Sequence, residues 1–524
     1  MSLIVFEDEH LLVANKPAGW STHSPAPFAG EGLYEWLKNR EPRWSRLAIL
    51  HRLDKETSGL IVFGKTTLAN RALSEQFQKR LVRKKYVLLT DRPPPSAPLR
   101  AKSALVRSGQ RYLSRPVHAA ADVAETVFGA GQESVAPVEG RAVWVVEAEP
   151  QTGKTHQIRV HAAAHDFPIL GDTLYGGAAA ARVYLHAGEL GFLHPATREL
   201  VAFSVPAEFS ADPRQALRAA IIDPAHTNAC RLIHGAADGW PGLYIERLED
   251  FLLAQSGASL APAQQKCVEN CARRYSARGV YHQIFQRQMR AAPQWLSGAK
   301  TPEELLVREN GLQFSLRLDE GFSVGLFLDQ RDNRRRFLTR YIAPKLEMPA
   351  APEVLNAFAY TCGFSVAAAV AGAHITSLDL SKKYLDWGKR NFVLNQLDPA
   401  RHEFIFGDAF DWFRRLAKKK RAFDIIILDP PTFSRSKERG VFQVEKDYGA
   451  LLAAALPLLA PGGLILASSN AATLAPEKFL DAIDRSLAGG RRRLLARQYI
   501  PQPPDFPVHR DEPAHLKTVW LQIE

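Results

Sequence analysis

The sequence predicts a multidomain protein of mixed class: a mixed, mainly antiparallel α+β domain over residues 1–208, a linker at 209–224, a small α+β domain over 225–318 and a doubly wound α/β domain over 319–524. Three observations carry this. A chain of 524 residues exceeds a single hydrophobic core at about 100–200 residues per domain. Up to Pro206 the texture is one of short apolar or alternating runs cut by Gly and Pro. From Asp319 onward, apolar strand-like runs alternate with helical patterns, as a parallel doubly wound sheet requires.

In the first stretch, "LIVFED", "LLVANK", "GLIVFG" and "KKYVLLT" read as strands. "AEFSADPRQALRAAIIDP" reads as a short helical linker. "GLYIER" and "FLLAQS" read as strands beside a "GWPG" turn, and Ala261 to Arg274 has helical spacing. In the last stretch, "EVLNAFAY", "HITSLDLS" and "EFIFGDAF" are strands each followed by a helical segment, and "FDIIILDPP" is a continuous apolar strand. The apolar run Leu451 to Ala467 is broken by Pro457, Pro461, Gly462 and Gly463, so it reads as helix, turn and strand rather than a membrane span of about 20 residues.

With 46% hydrophobic and 23% charged residues the chain is globular rather than disordered or fibrous. Lys and Arg number 67 against 55 Asp and Glu, and the net charge of +12 favours a polyanionic partner, nucleic acid first. Four cysteines exclude a disulfide scaffold and suit a reducing cytoplasm. Cys267 and Cys271 share a helix face with no second ligand pair at zinc spacing, so no metal is expected. The start "MSLIVFEDEH" lacks the basic region and cleavage stretch of a signal peptide.

"HRLDKETSGLIVF" places Asp54 just before a turn and an apolar strand, "RKKYVLL" carries Tyr86, and "TGKTHQIRVHAAAHDFPILGDTLYG" carries Arg159, which equally suits a surface strand. With "ANKPAGW" and the late "YLHAGELGFLHPATRELVAFSVP", these stretches resemble the RluA-type pseudouridine synthases in order and spacing over nearly all of residues 1–206. The resemblance implies Asp54 as the catalytic carboxylate, Tyr86 as the tyrosine beside it, Arg159 as the basic partner and Ile158 as an aliphatic residue near the base. Breaking the N1–C1′ bond of uridine and rejoining the ring through C5 involves no redox change and no external group, so no cofactor is expected in this half. "QKRLVRKK", "AKKKRAF" and "DNRRRF" are candidate phosphate contacts.

In the C-terminal stretch, the turn after "EVLNAF" contains only one glycine, Gly363, where a pyrophosphate site would want three. A ligand without phosphates fits better, and S-adenosylmethionine is one. Asp379 after the second strand is placed for ribose hydroxyls, Asp408 after the third for an adenine amino group, and Asp429, Pro430 and Pro431 stand at the end of the fourth. "GFSVGLFLDQRDNRRR", "DLSKKYLDWGKRN" and "LDPPTFSRSK", with "TNACRLIHGAADGWPGLYIER" ahead of them, resemble the class I, Rossmann-like methyltransferases that modify 23S rRNA at cytosine C5 or guanine N7. The resemblance implies S-adenosylmethionine as cofactor, with Phe327, Asp329, Arg331, Asn356, Phe358, Gly363, Asp379, Asp408 and Asp429 lining its site, and Pro430, Pro431 and Asn470 near the base. The cytosine branch keeps a cysteine nucleophile in the segment that here reads "LASSNAATL", whereas Cys362 lies in the donor-binding turn. The guanine branch is thus the nearer one, although it is normally fused to a second methyltransferase, and both bases stay open.

The expectation is therefore a cytoplasmic, bifunctional RNA-modifying enzyme with no membrane association, acting on 23S rRNA, or on tRNA for the first half. The alternative is a synthase joined to a non-catalytic RNA-binding or ribosome-assembly platform. Methylation of DNA or protein is disfavoured because Thr432 separates Pro431 from the aromatic Phe433.

Overall fold

The structure is a computed structural model that describes residues 3–117, 123–209, 212–285, 292–320, 323–436, 440–490, 492–509 and 511–524. Residues 210–211 of the expected linker and Gly321, Phe322 and Lys437 of the expected motifs lie outside the described residues. The chain divides into two compact units, one of Met1–Pro25, Glu31–Lys38 and Arg43–Ile221, the other of Ala26–Gly30, Asn39–Pro42 and Ile222–Glu524.

The first unit is built on one large mixed sheet whose path runs Ile4–Glu7, Leu11–Lys16, Ser58–Gly64, Leu185–Leu193, Arg83–Thr90, Trp144–Pro150, Val123–Phe128, Leu99–Ser108 and Arg111–Arg115. Its pairings are antiparallel except that Leu185–Leu193 runs parallel to Ser58–Gly64. Strand Ser58–Gly64 is buried along its whole length, which accounts for its unbroken apolar sequence. Helix Gln157–Ala164 packs on this sheet through a face of small and polar residues. Arg159 lies in this helix and not in a strand: Ile158, Val160 and Ala162 alternate as in a strand, but Gln157 and His161, one turn apart, are both anchored to the sheet and hold the segment helical.

In the second unit, a five-stranded sheet, Ala229–His234, Leu243–Leu248, Phe251–Ser256, Gly279–Ile284 and Gln294–Gly298, is covered by helix Pro262–Arg274. A hairpin, Leu305–Glu309 and Leu312–Leu316, follows it. The larger sheet has the order Glu403–Phe406, His374–Asp379, Glu353–Ala357, Phe423–Leu428, Leu459–Ser469, Lys517–Ile523 and Leu494–Pro501. The first five strands in that order are parallel, and Lys517–Ile523 is antiparallel to both of its neighbours. Strand order reverses between Glu353–Ala357 and Phe423–Leu428, so the chain ends leaving these two strands diverge and open a crevice at their carboxyl ends. Apolar clusters fill both faces of this sheet. No helix among the described residues is long and apolar enough to cross a membrane.

Candidate active sites

In the first unit, the peptide carrying Asp54 is clamped on both sides. Thr22 Oγ1 donates to the Leu53 carbonyl (2.8 Å) and accepts from the Leu53 amide (3.1 Å). On the other side the Lys55 carbonyl accepts from the Gly19 amide (2.7 Å) and from Lys16 Nζ (3.2 Å). Lys16 is fully buried and also donates to the carbonyls of Pro17 and Trp20, so "ANKPAGW" serves as the bracket of the Asp54 turn. Burial pushes its amine down to about 7, against the pull of Asp54 and Glu56. Gly59 closes the turn with φ of 116°, and a Cβ there would stand 2.3 Å from the Ala187 carbonyl oxygen, so a side chain is excluded by the parallel neighbour strand.

Helix Gln157–Ala164 brings Arg159 to this turn. Gln157 uses both ends of its amide, accepting from Thr152 Oγ1 (2.6 Å) and donating to the Glu125 carbonyl (2.8 Å). His161, one turn on, is bound by Ser103 and Thr126. With that face pinned to the sheet, Arg159 projects the other way. It is only 3% exposed, gives Nε and Nη2 to Asp172 (2.6 and 2.8 Å), and sets Nη1 3.5 Å from Asp54 and 3.6 Å from Glu56. Asp54, Tyr86, Ile158 and Arg159 line one cavity of about 1100 Å³, which also takes in Arg52, Arg80, Arg83, Lys84 and Lys154. Burial, and then the charge of Asp54, hold the Tyr86 phenol well above its ordinary range, so it stays protonated.

Sequence reasoning missed Lys16, Thr22, His156, Asp172 and Tyr175. His156 places Nε2 4.0 Å from Asp54 and Nδ1 2.7 Å from the Tyr175 hydroxyl, and the Arg159 guanidinium lies over the Tyr175 ring. Asp172 and Tyr175 stand in "GDTLYG", the tail of the stretch that carries Arg159, and an acid following a buried arginine is the signal that could have found Asp172.

In the second unit, the expected residues gather at the carboxyl ends of the parallel strands and in the turn before helix Arg331–Thr339. The loop after Glu353–Ala357 holds Phe358, Tyr360 and Cys362 at φ of 63°, 49° and 64°, left-handed conformations that non-glycine residues adopt only where the surroundings impose them. Here the segment before helix Arg331–Thr339 imposes them: Tyr360 donates to the Ser323 carbonyl, Thr361 to the Gly325 carbonyl, and the Phe327 ring packs 5.4 Å from that of Tyr360. Gly363 then starts the helix Gly363–Val370.

Asp379 accepts one backbone N–H on each oxygen, from Tyr360 and Ser381 (both 2.8 Å), which leaves each oxygen a lone pair for a further donor. A fixed carboxylate with both oxygens still able to accept suits vicinal ribose hydroxyls, and the single glycine of the loop provides no phosphate cradle. The residues present thus fit S-adenosylmethionine. Asp408 caps helix Ala409–Lys418 through Oδ1, and Phe406 just before it is exposed. Asp429 accepts from Gln330 Nε2 (3.2 Å), which also donates to Ser468 (2.8 Å), and burial pushes its carboxyl up to about 6. Pro430 is buried, Pro431 half-buried, and Asn470 is exposed with its Oδ1 accepting from Thr432 (2.8 Å). Asp329 accepts from His515 (3.0 Å).

Two expected residues are engaged inside the fold. Arg331 is buried in a paired contact with Asp505 (both 2.8 Å), and Asn356 gives its amide to Ser365 (2.9 Å). The "DNRRRF" stretch is likewise largely engaged inside the fold: Arg334 and Arg336 are buried, Arg335 between them is half-buried, and Arg334 holds Glu309 through two bonds of 2.6 and 2.7 Å. Gln330, Ser468 and His515 were missed, because each gains its meaning from a partner far along the chain.

Residues 230–522 match the family model described as S-adenosylmethionine-dependent methyltransferase, and residues 10–164 match that of RNA pseudouridylate synthase. The ribosomal RNA large subunit methyltransferase of Deinococcus radiodurans is 32% identical over 331 residues, which is 60% of this chain and 78% of the relative. The ribosomal RNA large subunit methyltransferase K/L of a Psychrobacter species is 43% identical over 169 residues, 32% of this chain and 20% of that long relative. Among solved structures, SMU.776 complexed with SAH has 30% identity and a TM-score of 0.53, covering 65% of this chain and 89% of its own. The match runs through the small sheet, the strained loop and the strand ends alike, and the chain belongs to the S-adenosylmethionine-dependent methyltransferase family, with an RNA pseudouridylate synthase domain preceding that part.

Proposed function

We propose that the chain is a bifunctional RNA-modifying enzyme that isomerises uridine to pseudouridine in its first unit and methylates guanine N7 of 23S rRNA in its second. For the first activity the supporting observation is the arrangement of Arg159 between Asp172 and Asp54 on the wall of one cavity with room for a nucleotide. Asp54, kept in place by its clamped backbone, is the carboxylate that acts at the sugar, and Arg159 holds its rotamer. Tyr86, protonated, donates to the base or sugar and does not act as a base. A nucleotide enters this pocket only after leaving its stack, at a cost of a few kcal/mol, and the basic residues on the rim, Arg80, Arg83, Lys84 and Lys154, offset that cost through backbone phosphates.

For the second activity the supporting observation is the state of the cysteines. All four, Cys230, Cys267, Cys271 and Cys362, are buried, and the segment after Leu459–Ser469 holds Asn470 where a C5 enzyme needs a thiolate. Guanine N7 carries an in-plane lone pair and requires only alignment with the methyl group. Bound S-adenosylmethionine supplies that methyl as a sulfonium electrophile. Asp379 orients the donor's ribose, Pro430 and Pro431 form the wall against which the base lies, and Asn470, fixed by Thr432, meets the base edge.

The test is incubation with labelled methyl donor and 23S rRNA, followed by borohydride and aniline, which cleave at 7-methylguanosine, with pseudouridine measured by mass spectrometry in the same RNA and in tRNA. Label in 5-methylcytidine without aniline cleavage overturns the guanine assignment. Absence of any transferred label leaves the platform reading.

A further inference from the structure

The cavity that holds Asp54 contains a side chain for which the Asp54–Arg159–Tyr86 set has no use. His156 precedes helix Gln157–Ala164 at φ of 56°, a left-handed conformation unfavourable for a residue with a Cβ, and this turn aims its ring back at Asp54. Nε2 stands 4.0 Å from Asp54 Oδ2, and Nδ1 lies 2.7 Å from the Tyr175 hydroxyl. That hydroxyl accepts the backbone N–H of Tyr112 at 2.9 Å, which leaves its own proton available for Nδ1. An imidazole that accepts at Nδ1 carries its proton on Nε2, facing the cavity. The charged groups facing the ring are Asp54, Glu56, Asp172 and Arg159, and burial, the largest influence, holds its pKa below the ordinary value. The ring is thus a neutral donor at neutral pH. Arg159 does not compete for this task, since Asp172, Asp54 and Glu56 occupy its nitrogens.

We propose that His156, held by Tyr175 as its Nε2–H tautomer, is a further catalytic residue of the isomerisation: it donates a hydrogen bond to a carbonyl oxygen of uracil and stabilises the negative charge the base acquires as its N1–C1′ bond breaks. The inference rests on the pseudouridine-forming reading of this site. The electron pair of the breaking bond passes to the base and spreads over N1 and the carbonyl oxygens. His156 keeps its proton throughout. When C5 bonds to C1′ that pair is returned, C5 then loses one proton and N1 gains one, and the sum is an isomerisation with no oxidant or co-reactant. The donor works because it is already aimed before the charge appears, in a partly dry site.

The experiment uses the full chain and a 23S rRNA or tRNA transcript that the wild-type protein converts, under single-turnover conditions with saturating enzyme. His156→Ala is expected to lower the pseudouridine-forming rate about 10²-fold, the range for loss of one such donor, while RNA affinity changes by less than about threefold. His156→Gln, whose amide N–H can take the place of Nε2–H, recovers at least about tenfold of that loss, and Tyr175→Phe, which frees the other tautomer, loses about tenfold. The urea midpoint of the first unit, compared between each variant and wild type, reports that this unit is folded. A His156→Ala rate within about threefold of wild type, or a Gln variant no faster than Ala, overturns the assignment. Asp54→Asn is run alongside: if wild type forms no pseudouridine in any transcript, the reading of the site falls and this inference with it, whereas an active wild type with an inert Asp54→Asn and an unimpaired His156→Ala removes the inference alone.

Discussion

Arg159 binds Asp172 through two hydrogen bonds, Nε at 2.6 Å and Nη2 at 2.8 Å, and presents its remaining nitrogen, Nη1, 3.5 Å from Asp54. The fork therefore converts a buried structural carboxylate into a fixed cationic wall beside the carboxylate that faces the cavity. A lysine has the same charge but no fork, and as a single mobile ammonium it cannot hold Asp172 at two points and face Asp54 at a third. Arg159→Lys is expected to reduce pseudouridine formation by about 10²-fold and to leave methyl transfer unchanged. Single-turnover rates for the two activities, measured on one preparation, check this; a rate within about threefold of wild type would show that charge alone suffices.

Buried histidines make the first unit acid-sensitive: burial lowers His51 to about 3, and two more are fully enclosed. His161 is 1% exposed between Ser103 and Thr126, His186 is 3% exposed beside Ser58, and burial lowers both to about 4 from an ordinary 6.5. Between those values the unfolded chain binds protons that the folded chain refuses. Their contribution to stability is fully present above pH 6.5 and is lost as pH falls toward 4, by about 2 kcal/mol per histidine at pH 5. The urea midpoint of this unit should drop between pH 7.5 and 5, and His161→Gln should lessen that dependence by one histidine's share, whatever it does to stability itself. A midpoint that does not move with pH contradicts the burial argument.

The sequence showed the strands and the carboxylates more readily than it showed what holds them. Asp54, Asp379, Asp408 and Asp429 each follow or precede an apolar run, and a strand end is a local signal. Arg159 was legible as a residue but not as part of a helix, because "QIRVH" has strand-like composition and turns helical only through the anchoring of Gln157 and His161 to strands 30 or more positions away. "DNRRRF" read as a candidate phosphate contact for the same reason: Glu309 and Asp505, which bury Arg334 and the preceding Arg331, come from other elements. His156 and Tyr175 gain their relation to Asp54 from a single left-handed turn, which no periodicity encodes.

The burial of those arginines shifts the expected RNA contacts elsewhere. Lys418, Lys419 and Lys420 are exposed at the end of helix Ala409–Lys418, and substitution of all three by Gln should weaken RNA binding and lower the slope of log affinity against log salt by about 2. Arg334→Gln instead leaves Glu309 buried without its partner, so it should cost about 3–5 kcal/mol of stability and leave the slope of the folded fraction unaltered. Filter binding between about 50 and 200 mM salt, paired with denaturant melts, separates the two. Equal slopes for wild type and the triple variant would remove these lysines from the RNA path.

Cys362 offers the sharpest discrimination between the two possible methylated bases. A cytosine C5 enzyme adds a thiolate to C6 before the methyl group arrives, so its cysteine must reach the base and ionise near neutral pH. Cys362 does neither: it is fully buried, burial pushes its thiol up to about 12, and Gly388 packs so closely that a Cβ there would stand 2.3 Å from the sulfur. Its φ of 64° marks it as part of the bend that shapes the loop before helix Gly363–Val370, which is a packing task that a small side chain can fill. Cys362→Ala should therefore keep methyl transfer within about threefold of wild type and lose about 1 kcal/mol of stability from the vacated volume. A variant that binds the methyl donor normally yet transfers no label would make Cys362 the nucleophile, and the guanine assignment would fall with that result.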